Sequence, residues 1–169
     1  MQRRAFISVI SVLLVTVGCS SSQNAAAIIA QMNDSNGKRL ANLYAIHQAR
    51  HGWVGPANKA AFVKFIQKNM HPTELAGTGV DPGSLDSLFV SERDKEPFFI
   101  RYGVEAPSWA VSRQAVVFEE KGAGGRIAVF MTGPKVIEVS AGEIEAYREG
   151  KKDEVPPKPV SGPPAGNKR

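Results

Sequence analysis

The spacing of apolar residues changes along the chain. Ala5 to Val17 is a run of 13 residues, apolar except for Ser8, Ser11 and Thr16. A helix crossing a bilayer needs about 20 such residues. From Lys38 to His51 the apolar positions Leu40, Leu43 and Tyr44 recur with His47 at helical spacing, and Gly52 ends the pattern. Asn58 stands at the N-cap position of a second helix reaching Asn69, with Phe62, Phe65, Ile66 and Met70 on its apolar stripe. The His71-Pro72 step is expected to end that helix, because the residue before proline avoids helical angles. Residues 73–87, punctuated by Gly77, Gly79, Pro82 and Gly83, read as loop.

Beyond this point the period shortens. Leu88-Phe89-Val90 and Pro97 to Tyr102 read as short strands joined by the charged run Glu92-Arg93-Asp94-Lys95-Glu96. Ala115 to Glu119 and Arg126 to Met131 flank Lys121-Gly122-Ala123-Gly124-Gly125, a glycine hairpin. Val136 to Val139 follows Gly133-Pro134 as another strand. Ser140 is placed to cap a final helix, Ala141 to Glu149, with Glu143 at capping-box spacing. The pattern predicts an α+β fold. Two N-terminal helices pack on one face of an antiparallel meander of about five short strands, and a C-terminal helix follows.

The ends of the chain differ from its middle. Arg3 and Arg4 precede the first apolar run, which is the layout of a secretory signal. Thr16-Val17-Gly18-Cys19 then resembles a lipobox, the processing motif of bacterial lipoproteins, with Thr16 in place of the more usual leucine. The resemblance implies cleavage between Gly18 and Cys19 and a diacylglyceryl thioether on Cys19. Acylation of the new amine, palmitate included, often follows. One acyl chain holds a protein marginally, whereas two or three hold it firmly. Ser20 follows the cysteine, where an aspartate marks inner-membrane retention in enterobacteria, so the outer membrane is the favoured destination. The expected division is 1–18 signal peptide, 19–34 lipidated tether with a short helix near Ala25 to Met32, 35–149 a single domain, and 150–169 a disordered tail. That tail carries five prolines among lysines and glycines.

Composition adds a constraint. The formal charge is +5, but Arg3 and Arg4 supply two of these charges and the stretch after Gly150 a net three. Residues 5–150 are therefore neutral and carry no basic field of the kind nucleic-acid binding needs. One cysteine rules out an internal disulfide framework and cysteine-rich metal motifs.

Candidate chemistry is sparse. His47 and His51, four apart on a helix, could share a zinc ion, with His71 a third ligand only if the fold brings it near. The plainer alternative is one histidine packed at a helix seam and one at a helix C-terminus. The 122–125 glycines lack the Lys-Ser/Thr of a phosphate loop. Glu119 and Glu120 are neighbours on a strand and so face opposite ways, while Glu145 and Glu149 share a solvated helix face. Asp81, Asp86 and Glu105 could meet only through the fold. No serine stands in G-x-S-x-G. Trp53, Trp109, Phe98, Phe99 and Tyr102 could form a binding patch or lie in the core. The basic, proline-rich tail could touch anionic headgroups or cell-wall polymers, or be a solvated terminus.

The segments NGKRLANLYAIHQARHGWVGPANKAAFVKFI, SLFVSERDKEPFFIRYG and AVVFEEKGAGGRIAVFMTGPKVIEV, within residues 36–140, resemble a set of short exported proteins of planctomycete bacteria. They share the helix–helix–meander order and the phrase ERDKEPF. The resemblance implies the architecture and the exported location, and brings no activity, cofactor or catalytic residue. The expectation is a non-enzymatic envelope protein, held to a membrane through lipid on Cys19, with no cofactor, no nucleic-acid partner, and a protein or wall component as ligand. The alternatives are a small periplasmic hydrolase or metal-dependent enzyme, and an accessory part of an envelope or secretion assembly.

Overall fold

A computed structural model describes residues 33–106, 113–133 and 135–154. Gly18, Cys19, the rest of the leader and tether through Met32, Trp109, Pro134 and the tail from residue 155 lie outside the described residues. Among the described residues, no helix is long and apolar enough to cross a membrane.

Helix α1 (Asn36–Arg50) is capped by Ser35, whose side chain accepts from the Lys38 N–H, and it buries Leu40, Ala41, Leu43, Tyr44, His47 and Gln48. Helix α2 (Lys59–Asn69) starts at Asn58 as expected and buries Phe62, Phe65 and Ile66. The His71-Pro72 step ends α2 but also begins a helix that the sequence reading took for loop. Pro72 is the first residue of α3 (Pro72–Thr78), where its fixed φ fits and its missing N–H is not needed. His71 caps α3, and Glu74 returns the capping box to the His71 N–H at 2.9 Å. A 3-10 turn (Pro82–Ser84) leads directly into α4 (Leu85–Leu88). Leu88 is thus helical rather than part of a strand. Elements this short bury two residues each or none, too few to print a period on the sequence.

The sheet has four antiparallel strands in chain order: β1 (Phe99–Ile100), β2 (Ala115–Phe118), β3 (Ile127–Met131) and β4 (Val136–Val139). Phe99 pairs with Phe118, Phe118 with Val129, and Val129 with Ile137; a bulge lies between Ala115 and Val117. The expected fifth strand at 88–90 is reduced to one bridge, Val90 with Pro97. Pro97 has no N–H with which to extend that pairing. Lys95 at φ 62° turns the chain tightly instead.

Strands β2 and β3 are buried along their whole length, because both faces of the sheet are covered. Ile100, Val117, Ala128 and Phe130 join the large core built on α1 to α4. Phe118, Ile127, Val129 and Val139 form a second core with Ile144 of α5 (Ile144–Arg148). The last helix therefore covers the face opposite the others, rather than all helices sharing one side. It is also shorter than expected. Residues 141–143 form a turn, and the Ser140 N–H and hydroxyl both donate to the Glu143 carboxylate, at 3.0 and 2.6 Å.

After α5 the chain reverses at Gly150 (φ 78°) and returns to β2. Arg113 and Glu154 exchange two backbone hydrogen bonds of 3.0 and 2.9 Å. Asp153 accepts from the Ala115 N–H at 2.9 Å and pairs with Arg101 at 3.1 Å. Lys151 to Glu154, expected to open a disordered tail, belong to the folded unit.

Candidate functional site

The structure brings His47 and His51 together on one face of α1. Their rings stack with centroids 4.1 Å apart and planes 14° apart, and Phe65 of α2 meets both edge-on at 4.8 and 5.4 Å. Nδ1 of His47 lies 3.1 Å from the Val54 carbonyl, and Nδ1 of His51 lies 2.9 Å from the His47 carbonyl. A carbonyl only accepts, so each Nδ1 carries a hydrogen directed at its carbonyl. His47 is 9% exposed. Burial, reinforced by His51 and opposed by the Val54 carbonyl, holds its pKa below the ordinary 6.5.

Two imidazoles with their Nδ1 hydrogens committed to carbonyls could offer a metal only Nε2 each, which is half of a four-ligand zinc site. Structural zinc takes four protein ligands and catalytic zinc three. His71 does not complete the set: its Nδ1 is engaged by Thr73, whose N–H lies at 3.4 Å and whose hydroxyl lies at 2.8 Å. Among the described residues no group of three or more histidine, cysteine, aspartate or glutamate side chains could hold a metal ion.

The neighbouring positions on α1 hold loops. The Tyr44 hydroxyl accepts from the Val104 N–H at 3.1 Å, and burial pushes its pKa up to about 12. Gln48 Nε2 donates to the Val104 carbonyl at 3.0 Å and to Gln114 at 2.9 Å; Gln114 Nε2 donates to the Glu105 carbonyl at 2.6 Å. These side chains complete the backbone hydrogen bonding of two crossing segments, in which the Gly55 N–H donates to Val104 and the Ala106 N–H to Trp53. Their role is structural.

The ERDKEP run is a clasp. Glu92 accepts from the Asn36 N–H at the start of α1, at 2.7 Å. Asp94 accepts from the Lys121 and Gly122 N–H groups of the glycine hairpin, both at 2.9 Å. Burial pushes the Asp94 carboxyl up, but the N–H groups of Gly122, Lys121 and Glu96 and the Ser91 hydroxyl together bring it below the usual 3.8. Arg93 reaches Glu138 of β4 at 2.6 Å and Glu119 at 3.4 Å, and Glu96 pairs with Lys121. Glu119, 1% exposed, also accepts from the Ser91 hydroxyl at 3.1 Å and the Ala128 N–H at 2.9 Å. Ser91 and Glu119 are enclosed and no imidazole joins them, so they do not form a nucleophile.

The hairpin reading of residues 121–125 holds. Gly122, Gly124 and Gly125 have φ of 70°, 60° and 75°, and Ala123 bridges Arg126. With two of its amides bound to Asp94, the loop is closed to phosphate. Glu120, facing away from Glu119, pairs with Arg148 at 3.1 Å.

Among the described residues, the candidate aromatics do not gather into one patch. Phe98 is core; Phe99, 39% exposed, packs edge-on against Phe118 and lies under Arg148 at 4.6 Å; Trp53 and Tyr102 are half-buried. Asp81 and Asp86 line neighbouring cavities that share Ser84 and Ser87, while Glu105 bridges Val54. Asp86 lines an open cavity of about 370 Å³ with Val63, Gln67 and the 3-10 turn. Asp81 lines a smaller one of about 100 Å³ with Asn36 and Arg39 of α1 and Gly79 after α3. Sequence reasoning missed Arg39, which looks like any arginine on a helix until the 3-10 turn, itself unforeseen, places Asp81 by the same cavity. No family model matches the chain, and no characterised protein or solved structure matches it significantly.

Proposed function

We propose that this is a lipid-anchored protein of a bacterial cell envelope with a non-enzymatic binding role, its domain presented to the periplasm or cell surface. The observation that carries the reading is the leader: Arg3-Arg4, a 13-residue apolar run too short to span, and Thr16-Val17-Gly18-Cys19 with the chain's sole cysteine at its end. From Cys19 to Asn33 the chain reaches at most about 50 Å, so an anchored domain stays close to the bilayer. The binding role is supported by the use made of the buried ionisable groups. Glu119, Asp153 and His47 are each committed to strands, loops or helix ends. An envelope protein or wall component is the partner this reading expects, at the outer membrane in preference to the inner.

The deciding experiment expresses the full chain and its Cys19→Ser variant in a bacterial host with an alkyne-tagged palmitate. The wild type is expected to take up label, fractionate with membranes and show a mature mass starting at Cys19. The variant should lose the label and the processing. Unchanged mass and retention in the variant would overturn the anchor.

A further inference from the structure

Asn36-Gly37 is the only asparagine–glycine step in the chain. Glycine places no side chain beside its own nitrogen, so that nitrogen reaches the Cγ of a preceding asparagine with the least hindrance. Both residues are required where they stand. Gly37 lies against β3, where a Cβ would overlap the Phe130 ring. Asn36 is the first residue of α1, and its side-chain amide is fully engaged. Nδ2 has two hydrogens and donates to the Ser87 and Val90 carbonyls, at 2.9 and 3.1 Å. Oδ1 accepts from Arg39 Nη1 at 2.9 Å. The Asn36 N–H donates to Glu92 of the clasp at 2.7 Å.

We propose that Asn36-Gly37 is a site of self-modification that the folded protein holds shut and that reacts only while the clasp is open. The Gly37 nitrogen attacks Asn36 Cγ and gives up its proton, and the side-chain amide leaves as ammonia. Water then opens the resulting succinimide to aspartate or isoaspartate. No oxidant, reductant or enzyme is needed.

The fold opposes the first step twice. Cγ must swing onto the Gly37 nitrogen, which breaks the bonds to Ser87, Val90 and Arg39. The five-membered ring also turns the 36–37 peptide away from its helical angle, beneath the buried Phe130 ring. The aspartate product has no side-chain N–H for the Ser87 and Val90 carbonyls, so a modified chain cannot remake those two bonds. The fold thus needs an intrinsically labile pair and protects it by closing over it. The inference goes beyond the anchoring reading and does not depend on it.

The test follows residue 36 by peptide mapping of the full-length protein, either native in detergent or unfolded in guanidinium chloride, in the same mildly alkaline buffer. In the unfolded chain, aspartate and isoaspartate are expected at position 36 ahead of every other asparagine. In the native chain conversion there is expected to be at least about tenfold slower, because it proceeds only from the locally opened fraction. Glu92→Ala, which removes the acceptor of the Asn36 N–H, should raise the native rate. Equal rates in the native and unfolded chains would overturn the proposal, as would an unfolded chain that reacts first at another asparagine. A native Glu92→Ala chain no faster than wild type would show that the clasp is not what shuts the site, and the proposal fails. The central comparison is made on the unaltered protein, so a variant that does not fold cannot obscure it. Loss of lipid labelling at Cys19 has no bearing on either rate.

Discussion

Gly37 and Gly77 are both helical glycines, yet replacing them has opposite consequences. Gly37 is where α1 touches the sheet, and a Cβ there would overlap the buried ring of Phe130. Alanine is intrinsically better than glycine in a helix by about 1 kcal/mol. Overpacking costs about 1–3 kcal/mol, and a trapped ring lies at the upper end of that range. Gly37→Ala is therefore expected to lose about 1–2 kcal/mol in urea unfolding. Gly77 of α3 has nothing within 4 Å of its added carbon. Gly77→Ala should gain about 0.5–1 kcal/mol by the same measurement. Equal signs for the two would refute the α1–β3 contact as described.

His47 makes a second residue-scale prediction. Burial, with His51, lowers its folded pKa below 6.5. Above 6.5 the ring is neutral both folded and unfolded, and its contribution is fully present. As the pH falls below 6.5 the unfolded chain takes up the proton first, so stability is lost down through the folded pKa. Unfolding free energy measured from pH 7.5 to 5 should decline in that window, and His47→Gln should flatten the decline. A profile unchanged by the substitution would show that the ring does not titrate differently on folding. The pair itself was legible from its spacing. What the spacing could not show is that each Nδ1 is committed to a carbonyl.

Among the elements, the clasp at residues 91–96 holds three others. Asp94 is the acceptor for two hairpin N–H groups, and hydrogen bonds to a charged group contribute about 1.5–3 kcal/mol each. Asp94→Ala is expected to lose about 2 kcal/mol, discounted for its partial exposure. Hydrogen exchange at the Lys121 and Gly122 amides should speed up beyond that at β3; uniform acceleration would argue against the clasp. This segment also shows why some elements were legible and others were not. α1 and α2 run 15 and 11 residues with a buried stripe, long enough for the helical period to show. α3 and α4 run 7 and 4 residues, and their punctuation by Gly77, Gly79 and Pro82 resembles that of a loop. Pro72 with Glu74 was the available signal, a helix start rather than only a helix stop. Charge made 92–96 look like a solvated connection, because a sequence shows ionic character but not its partners.

At the scale of the molecule, the C-terminal boundary is where sequence and structure part most clearly. Lys151, Lys152, Asp153 and Glu154 have the composition of a tail, yet Asp153 is the partner of half-buried Arg101. Removing one member of such a pair leaves the other uncompensated, at a cost of about 3 kcal/mol. A chain ending at Glu154 should match the full-length protein in thermal unfolding, and one ending at Glu149 should unfold markedly earlier. Equal melting of the two would mean that Asp153 contributes nothing.

The clasp has a consequence in time. Its bonds span 56 residues from Glu92 back to Asn36 and 45 from Arg93 forward to Glu138, while the return of Asp153 spans 52 from Arg101. A polypeptide threaded through a narrow translocon emerges from its N-terminus. In the exported protein we propose, α1 would emerge before the Glu92 carboxylate that accepts from its first N–H, and the Ala115 N–H of β2 before its acceptor Asp153. If the chain is exported as we propose, these long-range bonds would close only after most of it has crossed.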